Sequence, residues 1–258
     1  MSKALNTLKN LKLDMDKIYS EKFYKAQLSS ISYWENFIKE IRPLVKFRTI
    51  CDFGGGVGVF CSVLNKLGYM CTNIDMSQAS IHGVLTINLD LTKPISLNKK
   101  FDLVTSFETA EHLDQKYADI FIDNLVRHSD LILFSAAIPF QGGTHHVNEQ
   151  PAKYWAEKFK KRGYLPVDIR YLFWDRDTNH NMLFYVKKSK LSDYPKLKKI
   201  YLNSDRRILD IIHPKQFQVY ANPDKLPLDF IIKVLKTLPR RAFNYYTSKI
   251  KSKMKLDK

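Results

Sequence analysis

Thr49 to Tyr69 reads TICDFGGGVGVFCSVLNKLGY, and its interpretation decides the fold. Thr49, Ile50 and Cys51 suit the core of a buried strand. Gly54, Gly55, Gly56 and Gly58 then allow a sharp turn and let the backbone approach a ligand with no Cβ in the way. Phe60, Val63, Leu64 and Leu67 follow at i, i+3, i+4 and i+7, one face of a helix. A strand, a glycine turn and a helix in succession put the first N–H groups of the helix beside a bound small molecule. The spacing narrows the ligand. A dinucleotide fingerprint, G-x-G-x-x-G or its alanine variant, needs Gly or Ala at 59 or 61, where Val59 and Cys61 stand. The pattern present is D-x-G-x-G-x-G: Asp52, Gly54, Gly56 and Gly58.

Working outward, residues 1–48 read as helical, with Leu28, Ile31, Trp34, Ile38 and Ile41 on one stripe and Pro43 as the stop. Met70 to Ile74 is a second strand that ends at Asp75, 17 residues past Gly58. An acid at that point can accept hydrogen bonds from both hydroxyls of a ribose. Only Met76 to Gly83 separates it from a third strand, Val84 to Asn88, so the second helix must be abbreviated. Phe101 to Phe107 is a fourth strand, followed by an acid-rich helix; Asp130 to Phe140 is a fifth, followed by the polar loop QGGTHHVNEQP. Tyr154, Trp155 and Phe159 mark a further helix, and Leu165–Trp174 with Met182–Lys187 form a closing strand pair. The alternation is that of a doubly wound α/β sheet. DRRILDIIHP reads as a short helix stopped by Pro214.

The chain has 258 residues, 45% of them apolar, enough for one α/β domain with additions. No apolar run reaches membrane-spanning length, and the first residues lack the apolar core of a signal peptide. Cys51, Cys61 and Cys71, an odd number without a C-x-x-C, read as reduced core residues of a cytoplasmic protein. The net charge of +16 is unevenly spread: +5 over residues 1–48, −5 over 49–150 and +16 over 151–258. The basic end favours an anionic partner unless it reflects a lysine-rich composition bias.

D-x-G-x-G-x-G with an acid after the next strand resembles motif I of the class I S-adenosylmethionine (SAM) methyltransferases, over roughly residues 20–188. The resemblance implies a Rossmann-like, seven-stranded, mostly parallel sheet whose last strand is antiparallel. It also implies N-terminal cap helices over 1–48, a SAM-binding core over 49–188 and a helical C-terminal extension over 189–258. By the same resemblance Asp52, Gly54, Gly56 and Gly58 hold the methionine end of SAM. Asp75 takes the ribose, Asp90 and Leu91 flank the adenine, and Met76 and Phe107 complete the cofactor pocket.

A second constellation lies past the fourth strand. Glu108, Glu111 and His112 stand at i, i+3 and i+4 and would share one helix face, at the strand ends where open sheets bind ligands. His145 and His146 lie in the loop after the fifth strand. Two carboxylates and one or two imidazoles suit a divalent cation, Mg²⁺, Mn²⁺ or Fe²⁺, here held by Glu108, Glu111, His112 and His146. E-x-x-E-H at this place resembles two metal-assisted groups, the ubiquinone-biosynthesis O-methyltransferases and the small-RNA terminal 2′-O-methyltransferases. The loop GGTHHVNEQPAKYW resembles a bacterial group of SAM methyltransferases found among surface-polysaccharide genes, which favours His146 over His145 as the working catalytic residue. Phe140 departs from that group, where glycine is expected. Two other readings stand beside the cation: a metal-free histidine base, and a purely structural Glu–His pair.

These readings converge on an O-methyltransferase acting on a small-molecule or glycan acceptor, a sugar hydroxyl first of all. RNA 2′-O-methylation and a SAM-binding adaptor without turnover are the alternatives; no RNA-binding module is legible. In the tail, Leu228, Ile231, Ile232, Leu235 and Leu238 form one helical stripe, and Phe243, Tyr246, Ile250 and Met254 another. Residues 240–258 carry two arginines and five lysines against Asp257 alone. This suits either peripheral contact with an anionic membrane, at its inner face, or a first stripe packed on the domain and a solvated tail.

Overall fold

The computed structural model describes residues 30–77, 80–173, 181–204, 209–212 and 232. They belong to two compact units, one of 1–139 with 143–211, the other of 140–142 with 212–258. Apart from Ile232, which is helical, the tail stripes lie outside the described residues. No described helix is long and apolar enough to cross a membrane.

The first unit is built on a seven-stranded sheet of order β3-β2-β1-β4-β5-β7-β6. The strands are β1 Thr49–Phe53, β2 Met70–Ile74, β3 Leu85–Ile87, β4 Leu103–Ser106, β5 Leu131–Phe134, β6 Tyr164–Asp168 and β7 Leu183–Lys187. β1 to β5 pair in parallel, and β7 runs antiparallel to both β5 and β6. This is the Rossmann-like sheet expected from the sequence. Because side chains alternate across a strand, the apolar runs feed both faces. Cys51, Val104 and Ile132 join Phe121, Leu125, Trp155 and Phe159, from α3 (Ala118–His128) and α4 (Ala152–Lys161). Ile50, Leu103 and Leu131 join Phe37, Ile41, Phe60 and Leu64, from α1 (Ile31–Ile41) and α2 (Val59–Lys66). α5, Pro195–Asn203, adds Leu197 to that second layer. Proline in its first turn costs the helix no bonded N–H.

Several expectations are corrected. The fifth strand stops at Phe134, not Phe140, because the chain turns off to bond the residues after β4: the Ser135 N–H donates to Ser106 O at 3.0 Å, and the Glu108 N–H to Ser135 O at 3.2 Å. The sixth strand stops at Asp168 and gives way to a 3-10 turn, Arg170–Phe173, because Asp168 takes the Arg170 N–H at 3.0 Å and pairs with its guanidinium at 2.6 Å. Leu209–Ile212 is not helical; Asp210 instead accepts the Lys153 N–H at 2.9 Å, at the open end of α4. The cysteines are not all reduced. Packing of α2 on β2 brings Cys61 and Cys71 to a Cα separation of 5.0 Å, and the two are joined in a disulfide. Cys51 is the buried free thiol, its pKa pushed far up by burial.

Candidate active site at the strand ends

The glycine turn is set by side chains beneath it. Asp52, 2% exposed, accepts the Thr105 hydroxyl at 2.7 Å. Burial pushes its pKa up to about 7, against the pull of the Thr105 bond, and the charge of Asp75 adds to the rise. A Cβ at Gly55 would run into the Asp52 carboxylate and the Asn73 amide; one at Gly54, where φ is 86°, would run into Thr109. Asn73 donates to Gly56 O at 3.0 Å, and the Gly56 N–H donates to Asp75 at 2.9 Å. The other Asp75 oxygen takes the Ser77 N–H at 2.7 Å. Burial raises the Asp75 pKa, while these N–H groups and that of Met76 hold it back.

The remaining predicted cofactor residues are placed as follows. Met76 is half-buried after Asp75. Asp90 accepts the N–H and hydroxyl of Thr92 at 2.8 and 2.6 Å through one oxygen, and Leu91 is a core residue, 7% exposed. Phe107 is half-buried, its ring 5.0 Å from Trp34, 5.9 Å from Phe37 and 5.2 Å from Phe60. Its ring packs α1 against the exit of β4.

The second constellation is not on a helix face. Glu108 has a φ of 47°, and only two 3-10 turns, Ala110–His112 and Gln115–Tyr117, follow before α3. What gathers the residues is a backbone clasp. The carbonyl of Glu111 accepts the N–H groups of Val147 and Asn148 at 2.9 and 3.0 Å, so the loop after β5 is pinned to the turn after β4. That clasp brings ligating atoms of Glu111, His112 and His146 within 4.8 Å of one another; Glu108 stands outside this set. His146 Nε2 is 4.0 Å from Glu111 Oε1, and the two imidazoles meet edge to face with centroids 4.9 Å apart. His145 exposes its side chain, and its carbonyl takes His112 Nδ1–H at 3.3 Å. Thr109 ties the two constellations together: its hydroxyl stands 3.3 Å from Gly54 O and 3.0 Å from Phe107 O.

Glu111 is fully buried, and neither carboxylate oxygen has a hydrogen-bond partner. Burial first, then the charge of Glu108, pushes its pKa up to about 9. The N–H groups of Glu111 and Ala137 offset part of that rise and the approach of the Glu108 side chain adds to it, none of the three with the geometry of a full bond. Burial and the neighbouring His146 lower the His112 pKa to about 4, so its ring is neutral at pH 7. An unbonded buried acid between two imidazoles costs the apo protein stability. The donor set fits a cation: one carboxylate and two imidazoles suit Mn²⁺ or Fe²⁺ at least as well as Mg²⁺.

Three residues at this end of the sheet were not singled out from the sequence. Asn73 and Thr109, which shape the glycine turn, leave no sequence signal. Glu149, which accepts His146 Nδ1–H at 3.0 Å, left one: an acid three residues beyond a loop histidine.

No curated protein matches the chain. Among solved structures it resembles the 1,6-didemethyltoxoflavin-N1-methyltransferase of Burkholderia thailandensis, at 12% identity and a TM-score of 0.52, over 70% of this chain and 89% of that one. It also resembles the magnesium protoporphyrin IX methyltransferase of Synechocystis PCC 6803, at 15% identity and a TM-score of 0.47, over 67% and 92%. At these identities the likeness is one of fold. Residues 24–135 match the family described as "Methyltransferase domain". That match takes in α1, the glycine turn and the five parallel strands, and over this stretch the chain resembles a methyltransferase domain.

Proposed function

We propose that the chain is an O-methyltransferase whose acceptor is a sugar hydroxyl of a small molecule or glycan, assisted by a divalent cation. The observation that carries this reading is the buried Glu111 carboxylate, unbonded at both oxygens and facing the Nε2 atom of His146. Such a group is costly as an apo ornament and useful as a ligand. Glu111, His112 and His146 would hold the cation, with the carboxylate of Glu108 as a neighbouring charge. A cation there lowers the pKa of a bound hydroxyl and favours a substrate with two adjacent oxygens.

SAM supplies the methyl electrophile. In this reading the chain's own residues position it: Asp75 and Asp90 take the ribose and the adenine, and the turn from Gly54 to Gly58 admits the methionine end. Thr109 keeps the hydroxyl-binding residues in register with that turn. His146, held by Glu149, can also receive the acceptor proton, and this pairing favours a second, metal-free reading in which His146 is the general base. Anchoring of the basic tail on an anionic membrane is a separate proposal. Liposome sedimentation of the full chain against one ending at Asp224 tests it, and equal recovery in the supernatant would end it.

The test of the acceptor is transfer from methyl-labelled SAM, with Mn²⁺ present, to three pools: cell glycans with their lipid-linked precursors, catechols, and total RNA. An O-methyl sugar in the acid-hydrolysed glycan fraction is the expected product. Label confined to RNA or to amines would overturn the reading.

A further inference from the structure

His146 is held from every side that the structure records. Its side chain is 11% exposed. A Cβ at Gly143 would run into the ring, and His112 meets it edge-on at 84°. The loop on which it sits is fastened at both ends of the segment that follows. Val147 and Asn148 bond to the Glu111 carbonyl, and the Gln150 N–H donates to Ala137 O at 3.2 Å. Between those ties stands Glu149, with one carboxylate oxygen 3.0 Å from His146 Nδ1. A carboxylate accepts and cannot donate, so the shared hydrogen must sit on Nδ1. A neutral ring then carries its lone pair on Nε2, the nitrogen that faces Glu111. His112 shows the same arrangement made from backbone, since the His145 carbonyl can only accept from its Nδ1–H. Both imidazoles are thus turned the same way round. One is fixed by a main-chain oxygen that no substitution removes, the other by a side chain.

We propose that Glu149 is a positioning residue for methyl transfer: it holds His146 in the Nδ1–H tautomer and so aims the Nε2 lone pair at the Glu111 and His112 cluster. The inference deepens the proposed function and rests on its premise that His146 Nε2 is the working nitrogen. Outer-shell carboxylates of this kind orient a ligating or proton-accepting ring and leave the cofactor site alone. Glu149 sits on the loop after β5, one residue past the clasp on Glu111, and its loss should leave SAM binding unchanged.

The test is the tautomer itself, read from two-bond proton–nitrogen correlation spectra of the full chain. The sample carries ¹⁵N-histidine, S-adenosylhomocysteine and a chelator, and the pH is one at which the spectra show a neutral ring. His146→Gln assigns the signals. The parent should show His146 as Nδ1–H. Glu149→Leu should move it largely to Nε2–H, and Glu149→Gln, whose amide can still accept, should leave a mixture. Turnover should fall about 10- to 100-fold in Glu149→Leu and less in Glu149→Gln, with the KM for SAM within about twofold of the parent. An Nε2–H ring in the parent overturns the proposal, as does a tautomer that neither substitution shifts. Should Glu149→Leu fail to fold, the parent and Glu149→Gln spectra decide alone. Full activity in His146→Ala beside an Nδ1–H parent would instead sink the premise about His146 and leave the tautomer assignment standing.

Discussion

The two halves of the site are built by opposite means. The half proposed to hold SAM is backbone, shaped by absent side chains: glycines whose Cβ atoms would strike Asp52, Asn73 and Thr109, and N–H groups gathered on Asp75. The half after β4 and β5 is side chains brought together by backbone: Glu111, His112 and His146 meet because one carbonyl clasps two N–H groups of a distant loop. The first half consists of consecutive residues on adjacent strands, so its geometry follows from strand, turn and helix. The second depends on a loop finding a turn, and its geometry follows from a few hydrogen bonds and two left-handed residues, Glu108 and His145. A backbone site tolerates little and announces itself. A clasped site can be rearranged by single substitutions.

The sharpest test of that separation is Asp75→Ala. In the proposed role Asp75 takes two ribose hydroxyls, and losing it would forfeit two charge-assisted hydrogen bonds, about 1.5–3 kcal/mol each, so SAM affinity should fall about 100-fold or more by calorimetry. Mn²⁺ affinity should stay where it was. The converse substitution, His146→Ala, should abolish Mn²⁺ binding and leave SAM affinity within about threefold. If either variant loses both ligands, the halves are one cooperative unit and the comparison is wrong. Gly56→Val is a poorer probe, because Gly56 sits at a φ of 58° and its amide and carbonyl are bonded to Asp75 and Asn73, so valine would damage the turn itself.

Chelation is the next largest effect expected. With the cation stripped, methyl transfer should drop at least about 100-fold and return on addition of Mn²⁺ or Fe²⁺. Unchanged turnover in chelator would transfer the chemistry to His146 as a base, with Glu149 behind it.

The fold was legible because its signals are local. Apolar runs of strand length, four glycines and an acid 17 residues beyond Gly58 are read without knowing what lies opposite. The candidate site was legible in its composition and not in its construction. E-x-x-E-H pointed to Glu111 and His112, but through a helix face that does not exist; a 3-10 turn and the Glu111 clasp do that work. Asn73, Thr109 and the Cys61–Cys71 pair were invisible for the same reason. Each matters only through a partner on another element, and spacing along one chain does not report such partners.

The proton on Glu111 gives a smaller effect that separates the halves by pH. With its pKa pushed up to about 9, Glu111 must release a proton when an ion binds at pH 7, and His112, at about 4, has none to give. Mn²⁺ affinity should therefore rise with pH by up to about tenfold per unit below pH 9. SAM affinity, read in the same titrations, should not follow it. A flat Mn²⁺ profile would mean that Glu111 is ionised in the apo protein.

The smallest effect is on stability, and its sign is informative. Glu111 has a folded pKa of about 9 against an ordinary value of 4.5, so above pH 4.5 the unfolded chain binds fewer protons than the folded one. Stability is then highest below pH 4.5 for this group and is lost as pH rises toward 9, by at most about 1.4 kcal/mol per unit. Glu111→Gln keeps the shape and cannot ionise. In chelator the variant should melt close to the parent at pH 5 and a few degrees above it at pH 8, the gap widening through the window. Saturating Mn²⁺ should reverse the order: the parent gains about 2.7 kcal/mol at a concentration 100 times its Kd, and the variant, with a ligand removed, gains less. A residue that destabilises the empty protein and stabilises the loaded one is there for the ion. If Glu111→Gln is less stable than the parent in chelator at pH 8, the carboxylate is instead bonded in the fold, and its place in the cation site has to be given up.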